Sequence, residues 1–129
     1  MSDRTLLRFA ECWSSHNADE FLSLFTEDCV YEDVAAGRLS NGKAELRAFY
    51  EMGFTAIPDH RMDLKSRFAT DDRALLEWVV SGTLNMPVKQ NAISFRGVSV
   101  MELRGELIYR NTDYWDRSTV LKQTGQLAN

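Results

Sequence analysis

Proline, cysteine and histidine each occur only twice in these 129 residues, and each scarcity excludes a class of protein. Cys12 and Cys29 have neither a CxxC neighbour nor histidines at ligand spacing. A disulfide scaffold and a structural zinc site are therefore not expected, and the two thiols read as reduced core residues of a cytoplasmic protein. His16 and His60 are far apart, with no carboxylate pair at ligand spacing around either, so neither a metal nor another cofactor is expected. The net charge of −4 leaves no basic excess for nucleic acid or an anionic membrane. No apolar run approaches the roughly 18 residues of a membrane-spanning helix, and the first residues lack a signal-peptide core. Phosphate-loop, dinucleotide and GxSxG motifs are missing as well. What remains is 44% hydrophobic and 11% aromatic content, enough for one domain over residues 1–129 with a core of its own.

Apolar periodicity predicts helices over Thr5–His16, Asp19–Phe25 and Gly42–Gly53, the last stopped before Pro58. Thr26–Asp28 reads as a turn, Cys29–Asp33 as a short strand and Val34–Asn41 as a loop. Alternation then predicts strands over His60–Thr70, Ala74–Leu84, Ile93–Leu103 and Leu107–Asp116, joined by a turn at Asp71–Arg73, a loop at Asn85–Asn91 that could overhang an opening, and a turn at Gly105. Val120–Leu127 reads as a tail with at most one helical turn. Helices first and strands after, with one early strand among the helices, give an α+β class.

The last strand carries the most chemistry. Side chains alternate between faces, so Leu107, Tyr109, Asn111, Asp113 and Trp115 share one face, and Ile108, Arg110, Thr112, Tyr114 and Asp116 the other. Polar groups interleaved with large apolar ones suit a pocket wall, and Asp113 is the first candidate for a functional group. Alternation on the third strand puts His60, Met62, Leu64, Ser66 and Phe68 on the inner face.

The order and spacing of several short motifs resemble the nuclear-transport-factor-2-like superfamily, nearest to its SnoaL-like polyketide cyclase and ketosteroid isomerase branches. The motifs are Phe25-Thr-Glu-Asp-Cys-Val-Tyr-Glu-Asp33, Asn41-Gly-Lys with Phe49-Tyr50, Ile57-Pro-Asp-His60, Gly97-Val-Ser-Val-Met-Glu-Leu103, Gly105 and Asp113-Tyr-Trp-Asp116. The resemblance spans almost the whole chain. It implies a cone-shaped α+β barrel, in which a curved antiparallel sheet and three N-terminal helices enclose a pocket. It also implies a proton-shuttling role for Asp33, which stands where ketosteroid isomerases keep their base, and for Asp113, which stands where the cyclases keep an acid/base aspartate. The oxyanion donors of the isomerases are absent, because Phe9 and Ser99 occupy their positions, so a steroid isomerase is not expected. The cyclases' partner histidine, near Ser99, is absent too. The Arg-X-Asp of epoxide hydrolases is not supplied by Glu77-Trp-Val.

Two functions follow from different classes. The first is a cofactor-independent isomerase, aldol-type cyclase or dehydratase acting on a small hydrophobic carbonyl compound, with Asp113, Asp33 and His60 as its acid/base groups. Burial beside aromatic walls would raise either carboxylate above its usual pKa of about 3.9, which suits removal of a carbon-bound proton. Trp13, Tyr50, Trp78, Met101 and Trp115 are expected to line the pocket, beside Asn111, with Tyr31 and Ser99 as hydrogen-bond donors. The second is a non-catalytic module that binds a small ligand or only dimerises, since this fold hosts both kinds. A homodimer is expected in either case, because Val98, Val100, Ile108 and Tyr114 would otherwise leave an apolar sheet face in water.

Overall fold

A computed structural model describes residues 3–128. The chain begins with helix α1 (Asp3–Ser15), whose Leu6, Phe9, Ala10 and Trp13 are buried at helical spacing. His16 adopts a left-handed φ of 50° and breaks that helix. Asn17 then caps α2 (Ala18–Leu22), its side-chain oxygen accepting from the Glu20 amide at 3.1 Å. Tyr50 of α3 (Gly42–Ala56) pins this corner: its hydroxyl donates to the Cys12 carbonyl at 2.6 Å and accepts from the Asn17 amide at 2.8 Å. The helices pack through an aromatic cluster centred on Trp13, which lies 4.8 to 6.1 Å from the rings of Phe21, Phe49, Tyr50, Phe54 and His60.

The strands are β1 (Phe25–Asp33), β2 (Arg38–Asn41), β3 (Arg61–Ala69), β4 (Arg73–Thr83), β5 (Ala92–Arg104) and β6 (Leu107–Trp115). They form one curved, unclosed sheet in the order β2-β1-β6-β5-β4-β3. The α+β class and the three N-terminal helices agree with the sequence reading, but the sheet is not antiparallel throughout. β1 runs parallel to β6, which places Asp33 beside Asp113 in register. Thr26–Asp28 belongs to β1 rather than to a turn, since Phe25 already pairs with Ile108. The expected loop at Val34–Asn41 contains β2, which pairs antiparallel with β1 from Asp33↔Arg38 to Val30↔Asn41. The tail forms a fourth helix, α4 (Arg117–Gln123), capped by Asp116, which accepts from the Ser118 amide at 2.9 Å. The Asn85–Asn91 loop borders a surface groove with Pro58 and Asp59.

Two bulges reverse the faces expected from alternation. The β3–β4 register shifts between Leu64 and Ser66, so Phe68 ends opposite Leu75 on the outer face and is 68% exposed. The β5–β6 register shifts between Glu102 and Leu103, with Tyr109 as the extra residue of β6. Before that bulge Ile108 points into the core and Leu107 outward; after it Asn111 and Asp113 point inward. Ile108 therefore does not belong to the outer face. The freed Tyr109 ring stacks under the Arg104 guanidinium at 3.7 Å.

Candidate active site

Between the helices and the concave side of the sheet lies a cavity of about 310 Å³. Its floor is Asp113 on β6, Asp33 at the end of β1, and Trp78, Phe95 and Trp115 from the sheet. Trp13, Phe49 and His60 close the helical side, and the rest of the lining is aliphatic or methionine. Three other grooves lie on the surface, one of them also bordered by His60 and Met62, and none of them includes Asp33 or Asp113.

Asp113 is the most constrained group in this wall. Its Oδ2 accepts from the Tyr31 hydroxyl at 2.5 Å, and its Oδ1 accepts from the Ser99 hydroxyl at 2.6 Å and from Asn111 Nδ2 at 2.7 Å. Ser99 is oriented in turn by the Trp78 indole, whose Nε1 donates to it at 2.9 Å. Burial, which penalises the charged form, pushes the Asp113 carboxyl up to about 6; the three donors oppose that shift and the neighbouring Asp33 adds to it.

Asp33 is held differently. Its Oδ1 accepts from the Ala36 amide and from Trp115 Nε1, both at 2.9 Å, so it ties the β1–β2 turn to the last strand while lining the cavity. Burial raises its pKa, and these bonds counteract part of the rise. His60 follows α3 and Pro58. Its Nδ1 lies 2.6 Å from the Trp13 carbonyl oxygen, an acceptor, so Nδ1 carries the proton. Burial lowers the His60 pKa, and in the neutral ring the lone pair sits on Nε2.

The three acid/base candidates thus share one cavity, with Trp13, Trp78 and Trp115 around them. Five other candidates are placed elsewhere. Tyr31, Ser99 and Asn111 stand behind Asp113 and spend their donors on it, so they position the carboxylate rather than meet a ligand. Tyr50 and Met101 are wholly buried in the core outside the lining. The sequence reading missed Met52, Ala56, Ile93 and Phe95 as wall residues. For Phe95 the signal was available, since strand alternation with Ile93 and Gly97 points it inward. Among the described residues no group of three or more His, Cys, Asp or Glu side chains is arranged to hold a metal ion.

With this geometry in hand, comparison with known proteins gives a consistent result. No curated protein matches the chain. A solved hypothetical protein of ketosteroid isomerase-like fold from Catenulispora acidiphila, in complex with trimethylamine, is 22% identical, with a TM-score of 0.90 over 99% of this chain and 97% of that one. A candidate polyketide cyclase from a Silicibacter species is 25% identical, with a TM-score of 0.77 over 94% and 93%. A phenazine biosynthesis-related protein from Pseudomonas aeruginosa is 18% identical, with a TM-score of 0.83 over 98% and 86%. These likenesses agree with the observed fold, and a family model, the SnoaL-like domain, matches residues 6–111. The chain belongs to the SnoaL-like domain family.

Proposed function

We propose that the chain is a cofactor-independent acid/base enzyme, an isomerase, aldol-type cyclase or dehydratase, that moves a carbon-bound proton on a small apolar carbonyl compound. The observation that carries this reading is Asp113: a cavity-lining carboxylate, 5% exposed, fixed by three donors and pushed up to about 6. Such a group is largely ionised at pH 7 yet basic enough to take a proton next to a carbonyl. Its rotamer is fixed before the substrate arrives, which removes an ordering cost from the reaction step. Asp33, or the lone pair of His60, is placed to exchange that proton on the same cavity wall.

The test is exchange of ring protons in heavy water. The parent protein should speed deuterium incorporation next to the carbonyl of cyclic ketones, followed by NMR, and folded Asp113→Asn should lose the effect. Equal exchange rates in parent and variant would overturn the reading. A second reading, ligand binding without turnover, is favoured by one observation: the donors nearest Asp113 are committed to it, and no oxyanion donor replaces those absent at Phe9 and Ser99. Saturable ketone binding with no exchange would select it.

We also propose a homodimer formed through the outer sheet face. Tyr114 is 48% exposed there, beside the half-buried Val98, Val100, Leu75 and Val79, and Phe68 extends the patch. Light scattering should give about twice the 14.8 kDa chain mass; a monomer at micromolar concentration would contradict this. No helix among the described residues is long and apolar enough to cross a membrane. The free, buried thiols of Cys12 and Cys29 support a reducing, cytoplasmic setting.

A further inference from the structure

Among the described residues, the cavity is lined by two carboxylates and no balancing cation. Neither lysine nor arginine lines it, and the charge acting on Asp113 from its surroundings is that of Asp33, of the same sign. Buried charges are ordinarily paired. Here no described residue of the lining supplies the pairing partner.

The hydrogen-bonding inventory of the wall is equally one-sided. Trp78 Nε1 is spent on Ser99, Trp115 Nε1 and the Ala36 amide on Asp33, and His60 Nδ1 on the Trp13 carbonyl. Trp13 Nε1 is buried and interacts with the Tyr31 phenol. What the wall still presents is acceptors: the two carboxylates and the Nε2 lone pair of His60, a side chain more than nine-tenths buried whose Nε2 makes no hydrogen bond within the protein. Around them stand the faces and edges of Trp13, Phe49, Phe95 and Trp115, and aromatic faces attract cations.

We propose that the ligand of this cavity is a protonated amine on an apolar, ring-sized skeleton, whose N–H groups and positive charge are met by Asp33, Asp113 and the lone pair of His60. An organic acid or a phosphate ester is excluded by the same wall. The inference rests on the cavity being the binding site assigned above, but not on carbonyl chemistry.

Four probes sharing one ring test it: cyclohexylamine, cyclohexanol, cyclohexanone and cyclohexanecarboxylate. Their binding would be followed by the fluorescence of the three cavity tryptophans and by calorimetry. At pH 8 the amine, protonated like a lysine, should bind at least about ten-fold tighter than the alcohol, with the carboxylate weakest. The groups facing Asp113 are Tyr31 and Asp33 from β1, Ser99 from β5, Asn111 on its own strand and His60 across the cavity. With Asp113 titrating at about 6, amine affinity should fall about ten-fold from pH 8 to pH 5 while ketone affinity barely changes. Asp33→Asn should weaken the amine and spare the ketone. Asp113→Asn should do the same, and if it fails to fold, the pH profile of the parent protein still decides. Ketone binding as tight as amine binding at pH 8 would overturn the inference while leaving the proton-transfer reading standing. Carboxylate binding equal to the amine's, or no binding of any probe, would overturn it too, and the second result would remove the cavity as the site.

Discussion

Tyr31 gives its phenolic hydrogen to Asp113 across the parallel β1–β6 pair, at 2.5 Å and with both side chains buried. A hydrogen bond to an ionised partner contributes about 1.5–3 kcal/mol, so this bond offsets part of the cost of keeping a carboxylate in the core. Tyr31→Phe removes it and pushes the Asp113 pKa further up. A raised carboxyl contributes stability that is full below its unfolded pKa and lost as pH rises through the folded one. The variant should therefore be about 2 kcal/mol less stable than the parent at pH 8 and nearly equal to it at pH 4. Urea midpoints at the two pH values check this, and an equal deficit at both would assign Tyr31 to packing alone.

Gly97 is a close-approach position of the sheet. A Cβ built on it would lie 2.2–2.8 Å from ring atoms of Trp78, the tryptophan whose indole orients Ser99. Gly97→Ala should displace that ring, cost about 1–3 kcal/mol and disturb Asp113 through Ser99. Thermal unfolding measures the first effect, and a changed titration of Asp113 measures the second. A stability within about 0.5 kcal/mol of the parent would show that Trp78 has room to move.

His60 should titrate below the ordinary histidine value, and its neutral ring should carry the proton on Nδ1. Its lowered pKa means that this group contributes stability above about pH 6.5, lost as pH falls through the folded value. Nitrogen-detected NMR of the ring distinguishes the tautomers directly. An Nε2–H signal from the neutral ring would contradict the bond to the Trp13 carbonyl, and a His60 midpoint above 6.5 would show that burial does not dominate its titration.

Asp113→Asn retains an oxygen for Ser99 and Asn111 and removes the buried charge. The parent group has its pKa raised from 3.8 to about 6, so its ionised form is penalised increasingly from pH 4 upward and fully above pH 6. The variant should be as stable as the parent or more so at pH 8, with an advantage that shrinks by about 2 kcal/mol on going to pH 4. An asparagine variant less stable than the parent at pH 8 would make Asp113 a structural group.

Period-two burial is uninterrupted over Cys29–Asp33 and along the middle of β4, so their faces can be read from alternation: Cys29, Tyr31 and Asp33 are inside, as are Leu76, Trp78 and Val80. Alternation failed at Phe68 and Ile108 because a bulge adds one residue without leaving a composition signal. The same bulge hid the partnership of Ser99 with Asp113. Counting outward from the Gly105 turn, where Arg104 meets Leu107, would pair Ser99 with Thr112; the extra residue at Tyr109 moves it to Asp113. The polar residues near the end of the last strand were legible as a site. Which of them face the cavity and which stand behind Asp113 depends on depth, and alternation along a strand reports side, not depth.

The central claim is that Asp113 is a cavity carboxylate poised near neutrality. Carbon-13 NMR of the aspartate side-chain carboxyls, with Asp113→Asn to assign the resonance, tests it directly. The account predicts one carboxyl titrating at about 6, accompanied by shifts in the Tyr31 and Trp78 signals. An Asp113 midpoint at or below the ordinary value of about 3.9 would contradict it.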